Sequence, residues 1–184
     1  MSARLRLVRH GRASAGWDNH RDPGLDDVGR AQAEAVAVVL APLGPLPIVC
    51  SPMRRTRETA EPLATAWGVD ALIDPAVGEV VAPAGVEMGE RVAWLRQAVN
   101  GSWTDLGEAH ARWRSGVVDR LLAVTTDTVI VSHFVAINAA IGAAVGDDRV
   151  VVARLDNCSV TVIDVVDGAL RLVEIGREAD TLIR

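Results

Sequence analysis

The sequence predicts an α/β fold: a three-layer α/β/α sandwich with a mixed, largely parallel central sheet and a small helical insertion over the strand ends. Three observations carry this. Short apolar runs alternate with helix-like segments, three of those runs end abruptly in a basic or imidazole residue, and the last two are joined by a hairpin signal. Leu5-Arg6-Leu7-Val8 runs into Arg9-His10-Gly11, residues 46–50 run into Ser51-Pro52-Met53-Arg54-Arg55, and residues 128–131 run into Ser132-His133. In open parallel sheets ligands bind outside the carboxyl ends of the strands. Guanidinium and imidazole groups delivered to one edge therefore read as an anion site with a nucleophile or base in it.

Each element has a local justification. Residues 12–26 are rich in Gly, Asn, Asp, His and Pro and read as an irregular loop over the first strand's end. Asp26 suits an N-cap and Asp27 the first turn of a helix reaching about residue 41, with Leu25, Val28, Ala31, Ala33, Val36, Val39 and Leu40 as its apolar face. Pro42-Leu43-Gly44-Pro45 stops it. After the strand at 46–50, Ser51 reads as an N-cap with Pro52 at the first helical position, and the helix runs from about 53 to 67 before Gly68. Arg55 falls in its first turn, where its charge can join the unpaired N–H groups in holding an anion. Residues 69–74 add a short strand. Residues 75–115 are broken by Pro75, Gly78, Pro83, Gly85, Gly89 and Gly101, with helical patterns only at 91–99 and from 108 to 124. This stretch reads as an insertion in a single domain of residues 1–184, either covering the strand ends and shaping substrate choice or packing as a helical hairpin. Trp94, Trp103 and Trp113 either line its mouth or pack beneath it. The strand at 128–131 leads into an Ala- and Ile-rich helix ending near Val145-Gly146, and β-like runs follow at 150–155, 159–165 and 170–175. Val166-Asp167-Gly168 is the hairpin signal between the last two.

Composition narrows the function. A chain of 184 residues with 49% hydrophobic residues builds a full core without staples, and five Trp, one Phe and no Tyr make that core aliphatic. The net charge of -5 argues against general nucleic-acid binding. Cys50 and Cys158 form no CxxC pair, and no carboxylate or Cys/His cluster has metal-ligand spacing, so neither a metal nor another cofactor is expected. No run reaches the roughly 18 to 20 apolar residues of a membrane span, and the expected location is cytoplasmic. No feature sets an oligomeric state.

Leu7-Val8-Arg9-His10-Gly11, then Leu25 with Gly29 and Gln32-Ala33, then Ser51-Pro52-Met53-Arg54-Arg55-Thr56-Arg57-Glu58-Thr59-Ala60, and finally Val131-Ser132-His133 resemble the histidine phosphatase superfamily, the phosphoglycerate mutase-like fold. Order and spacing agree across nearly the whole chain, including the late Asn157-Cys158-Ser159-Val160-Thr161-Val162 strand. The resemblance implies that His10 is a nucleophile taking up a phosphoryl group, that Arg9 and Arg55 hold phosphate oxygens, and that His133 donates a further hydrogen bond. It also places the proton donor at Glu79, with Glu87 and Glu90 as alternatives. The residue chemistry agrees, because Arg offers a planar fork of donors to a phosphate carrying about two negative charges. Ser14 is a candidate polar contact in the loop after the nucleophile.

The chain departs from the resembled family in places. Phe134 stands where glycine commonly follows the second histidine, narrowing the pocket or making it more apolar. Glu58 replaces the frequent Gln and Thr56 the frequent Ala, and Val80-Val81-Ala82-Pro83 lacks the usual small glycine-containing motif. His20 and His110 read as exposed, and Arg12, Arg54 and Arg57 as solvated or as added phosphate contacts. The expected activity is metal-independent hydrolysis of a small phosphorylated metabolite through phosphohistidine. The alternatives are phosphoglycerate mutase activity, phosphoprotein dephosphorylation, or a non-catalytic phospholigand-binding module.

Overall fold

Strand and helix alternate as the periodicity requires. β1 (Ser2–Arg9) leads to α1 (Asp27–Leu40), then β2 (Ile48–Cys50), α2 (Arg54–Trp67) and a two-residue β3 (Leu72–Ile73). A covering segment follows, with α3 (Arg91–Ala98), α4 (Trp103–Leu106) and α5 (Glu108–Leu122). β4 (Thr128–Ser132), α6 (Phe134–Val145), β5 (Val160–Val166) and β6 (Ala169–Glu174) come last. The structure, a computed structural model, describes residues 2–16 and 22–179.

The six strands form one sheet in the order β3-β2-β4-β1-β5-β6. β3, β2, β4 and β1 pair in parallel, while β5 runs antiparallel to both β1 and β6, giving the mixed sheet expected. The β5–β6 turn carries positive φ at Asp167 (51°) and Gly168 (75°), as a tight hairpin demands. From β1 the chain crosses over β4 to reach β2, whereas from β4 it crosses the other way to β5. The boundary between β1 and β4 is thus the switch point where such sheets open a crevice. Their register pairs Arg9 with Ser132, so His10 and His133 leave the sheet side by side.

Alternation sorts the strands between two cores. Ala3, Leu5 and Leu7 of β1, Val49 of β2 and Ile130 of β4 join the core beneath α5 and α6. Val8, Ile48, Cys50, Val129 and Val131 join the one beneath α1 and α2. Helices on both faces make the three layers. The filling is aliphatic: Leu5, Ile130, Ile141, Leu155 and Ile163 are at most 1% exposed, and burying each is worth about 1.5–3 kcal/mol.

Three local expectations are corrected. On α1 the buried stripe is Gly29, Ala33, Val36, Ala37 and Leu40. Val28, Ala31 and Val39 lie off that stripe and face solvent. α2 starts at Arg54 with Met53 as its N-cap, because Met53 is still extended; the Ser51 hydroxyl accepts from Met53 N (3.3 Å) and from His133 Nε2 (2.8 Å) ahead of the helix. Residues 150–155 form no strand of the sheet. The backbone N–H groups of Val152 and Ala153 donate to Asn138 Oδ1 (2.8 and 2.9 Å), and only Leu155 makes an isolated bridge, to Glu178.

Asn138 is fully buried, and its Nδ2 donates to Phe134 O (2.9 Å). Its amide therefore ties residues 152–153 to the first turn of α6. Asn138→Ala leaves these backbone groups without partners, at about 1–3 kcal/mol for each buried group unmade. Urea unfolding should show a loss of about 2–4 kcal/mol. A change within the error of the extrapolation would mean that solvent reaches them.

Candidate active site

The segment after β1 lies directly on the first turn of α1. A Cβ at Gly11 would sit 2.6 Å from Gly29 O, and one at Gly29 would sit 2.1 Å from Arg12 O, so the contact admits no side chain at either position. His10 N donates to Ser132 O (3.0 Å), its carbonyl accepts from Asn157 Nδ2 (2.9 Å), and Gly11 N donates to Thr59 Oγ1 (3.0 Å). β4, the turn before β5 and α2 thus fix two consecutive residues, His10 and Gly11, between them. The half-buried His10 ring places Nδ1 2.7 Å from Gly11 O. A carbonyl can only accept, so the proton sits on Nδ1 and the Nε2 lone pair is left for attack. Burial, then the charges of Arg55 and Arg9, hold the His10 pKa well below the usual 6.5. The ring is neutral near neutrality.

Two guanidinium groups flank it. Arg9 is 6% exposed, its Nη1 donates to Leu155 O (2.5 Å), and its Cζ lies 5.0 Å from the Phe134 ring centroid. The extra ring at position 134 therefore forms a platform for a cation. Burial lowers the Arg9 pKa to about 10, which still leaves it charged at pH 7. Arg55, 5% exposed, donates from Nη2 to His133 Nδ1 (3.2 Å). That fixes the His133 tautomer, so Nε2–H donates to Ser51 Oγ (2.8 Å). Burial and Arg55 likewise depress the His133 pKa. The rings of His10 and His133 meet edge to face, centroids 5.2 Å apart.

Glu79 reaches the same place from the covering segment. Its Oε1 accepts from Val80 N (2.9 Å) and its Oε2 from Val135 N (3.2 Å) in the first turn of α6. Burial raises its pKa, against the opposing pull of those two bonds and of Arg55 and Arg9. In the free protein burial alone supplies this shift. A carboxyl that resists ionisation beside a neutral imidazole and two cations is equipped to hand over a proton. Glu87 and Glu90 are exposed and engaged in a capping box with each other's turn.

Other residues take plainer places. Ser14 Oγ donates to Gly24 O (3.2 Å), which spends its proton on closing the first loop. Arg12 pairs with Asp26 and Arg54 with Glu58, each at 2.6 Å. His20 lies outside the described residues. His110, expected at the surface, is 9% exposed with both nitrogens facing carbonyls, because α5 turns it toward Val81 and the Trp94 ring. Trp103 is core at 1% exposed, and Trp94 and Trp113 pack partly buried against that core. A groove of about 680 Å³ runs along the outer side of α2 past Arg57, Glu61 and Asp70, away from the histidines. Burial pushes the thiols of Cys50 and Cys158 up to about 11 and about 12, which disqualifies both as nucleophiles. Among the described residues no group of three His, Cys, Asp or Glu side chains could hold a metal ion, and no helix is long and apolar enough to cross a membrane.

Sequence reasoning did not assign roles to Thr59, Asn157 and Asn138, and it read Ser51 only as an N-cap. Thr59 and Ser51 sat in a motif already singled out. Asn157 is displayed by a tight turn whose next residue, Cys158, takes φ 54°, and nothing local marks that turn.

Comparison with known proteins agrees with this geometry. The profile of the histidine phosphatase superfamily (branch 1) matches residues 5–178. A protein of Escherichia fergusonii named "Probable phosphoglycerate mutase GpmB" is 31% identical over 183 residues, covering 86% of this chain and 83% of its own. A relative from Enterobacter sp. with the same name is 30% identical over 189 residues, with the same coverage. Among solved structures, one described as "Mycobacterial hydrolase 1" superposes with a TM-score of 0.75 at 23% identity, over 97% of this chain and 100% of its own. A mycobacterial glucosyl-3-phosphoglycerate phosphatase complexed with VO3 gives 0.68 at 24%, over 94% and 98%. At such identities these structures speak for the fold alone. The match across residues 5–178, together with a relative 31% identical over most of both chains, establishes that this chain belongs to the histidine phosphatase superfamily.

Proposed function

We propose that the protein is a metal-independent phosphohydrolase that removes phosphate from a small phosphorylated metabolite through a phosphohistidine intermediate. One observation carries the reading: a neutral His10 with its Nδ1 proton given to Gly11 O and its Nε2 lone pair available, between two buried guanidinium groups. Nε2 attacks phosphorus in line while the P–O bond to the leaving group breaks. Glu79 gives its proton to the departing oxygen. Arg9 and Arg55 hold the oxygens over which charge spreads. His133 steadies Arg55 through Nδ1, and its Nε2–H, held by Ser51 in the free protein, is the further donor. Glu79, now ionised, takes a proton from the water that attacks phosphorus. The P–N bond breaks, phosphate leaves and His10 is restored.

The relatives named as probable phosphoglycerate mutases favour a second reading, in which a second alcohol rather than water accepts the phosphoryl group. Incubation with phosphorylated metabolites, phosphoglycerates among them, separates the two: free phosphate supports hydrolysis, and isomerised phosphoglycerate without phosphate release overturns it.

His10→Ala should abolish turnover and leave the fold intact, and acid-labile phosphoprotein should be trapped with the native enzyme only. Native turnover by that variant would rule out the covalent route. Because Arg9 and Arg55 supply the positive charge, activity should be unchanged by EDTA. Loss restored by Mg²⁺ or Zn²⁺ would contradict this.

Glu79→Gln should slow hydrolysis of alkyl phosphates by roughly 10²-fold, while phosphohistidine formation from aryl phosphates with acidic leaving groups suffers far less. The donor works only while protonated, and burial raises its pKa, so the alkyl rate should fall as pH rises through that raised value. This limb should be missing from the variant. Equal losses on both substrate types would remove Glu79 from the role.

A further inference from the structure

The chain from Asp74 to Val81 lies along α5 as a strap with Glu79 near one end. Arg120 Nε binds Asp74 Oδ2 (2.5 Å) at the start, Ser132 Oγ donates to Val77 O (2.7 Å) in the middle, and His110 Nε2 lies 3.2 Å from Val81 O at the finish. Arg120 and His110 stand roughly 15 Å apart along the helix, so the strap is held at both ends by one rigid element. Val77 and Val80, each 2% exposed, face inward along it. After Val81, residues 82–87 form neither helix nor strand. The His110 clasp therefore falls between the ordered strap and an irregular loop, two residues from the carboxyl that binds Val80 N and Val135 N.

The His110 ring is not a generic filler of this space. Its Nδ1 faces Leu106 O at 3.2 Å as its Nε2 faces Val81 O, and Trp94 covers it with centroids 5.4 Å apart. Each carbonyl only accepts, so each bond needs a proton on its own nitrogen: a neutral ring makes one, an imidazolium both. A carboxyl serving as general acid must be held within a fraction of an ångström of the leaving oxygen, and an error of about 1 Å costs up to 10²-fold.

We infer that His110 is a positioning residue for the proton donor: its Nε2–H to Val81 O holds the strap so that Glu79 stays at the amino end of α6, within reach of the charges of Arg9 and Arg55. The inference rests on the reading of Glu79 as the donor. It predicts an effect confined to the step that needs the proton.

The test uses two isosteric variants of the full chain. Gln sets its amide nitrogen where Nε2 stands and keeps the donor to Val81. Asn sets its own where Nδ1 stands and loses that donor. His110→Asn should lower kcat on alkyl phosphates by about tenfold, with phosphohistidine formation from activated aryl phosphates changed by less than about twofold, and His110→Gln should keep the native ratio of the two rates. If the Asn and Gln variants alter that ratio alike, or if Asn slows both substrates equally, His110 is only a structural residue and the inference fails. Glu79→Gln measured beside them separates the two claims. Discrimination by Glu79→Gln without discrimination by His110→Asn defeats this inference alone, and none by Glu79→Gln defeats the donor reading and this inference with it.

Discussion

Two guanidinium groups, Arg9 and Arg55, are each about nine-tenths or more hidden from water within reach of one another's charge. Taking an ion out of water costs several kcal/mol unless hydrogen bonds and opposite charge offset it. Much of the site's construction answers that cost: the Leu155 carbonyl and the Phe134 ring take Arg9, and the His133 ring takes Arg55. The offset is incomplete, since burial outweighs every favourable charge and lowers both arginines' pKa values. A site left with unspent positive charge favours a dianion. Burial, and after it that same charge, keeps His10 and His133 neutral.

Support for the arginines passes outward through backbone rather than through further charges. Asn138 on α6 holds Val152 and Ala153, and this places the chain that presents Leu155 O to Arg9. Thr59 joins Gly11 N to Arg55 O, which couples the loop carrying His10 to the helix carrying Arg55. Neutral donors and acceptors suit this task, because an extra buried ion would need its own compensation.

Glu79 differs from the rest because it comes from the covering segment rather than from a strand end. Its state depends on how deeply that segment sits: burial raises its pKa, while exposure would let Arg9 and Arg55 draw it toward the ionised form. The clasp at His110 and the pair Arg120–Asp74 tie this depth to α5.

The mixed sheet was legible in the sequence, and so were the basic and imidazole groups that the structure gathers at its edge. Short apolar runs leading into Arg9-His10-Gly11, Ser51-Pro52-Met53-Arg54-Arg55 and Ser132-His133 are local signals, and polar groups that follow a buried strand are delivered to the sheet edge. Local spacing could not say which residues of α1 face inward, since Val28 and Val39 are as apolar as Val36 and only the neighbouring α2 and sheet choose among them. It could not place His110, whose polar neighbours in the chain suggested solvent. Nor could it show that residues 150–155, apolar enough for a strand, would give two of their N–H groups to a side chain on α6. Those outcomes, like the tautomers of His10 and His133 and the raised pKa of Glu79, depend on partners distant in sequence. Tertiary structure decided them because desolvation and hydrogen bonding act through space, not along the chain.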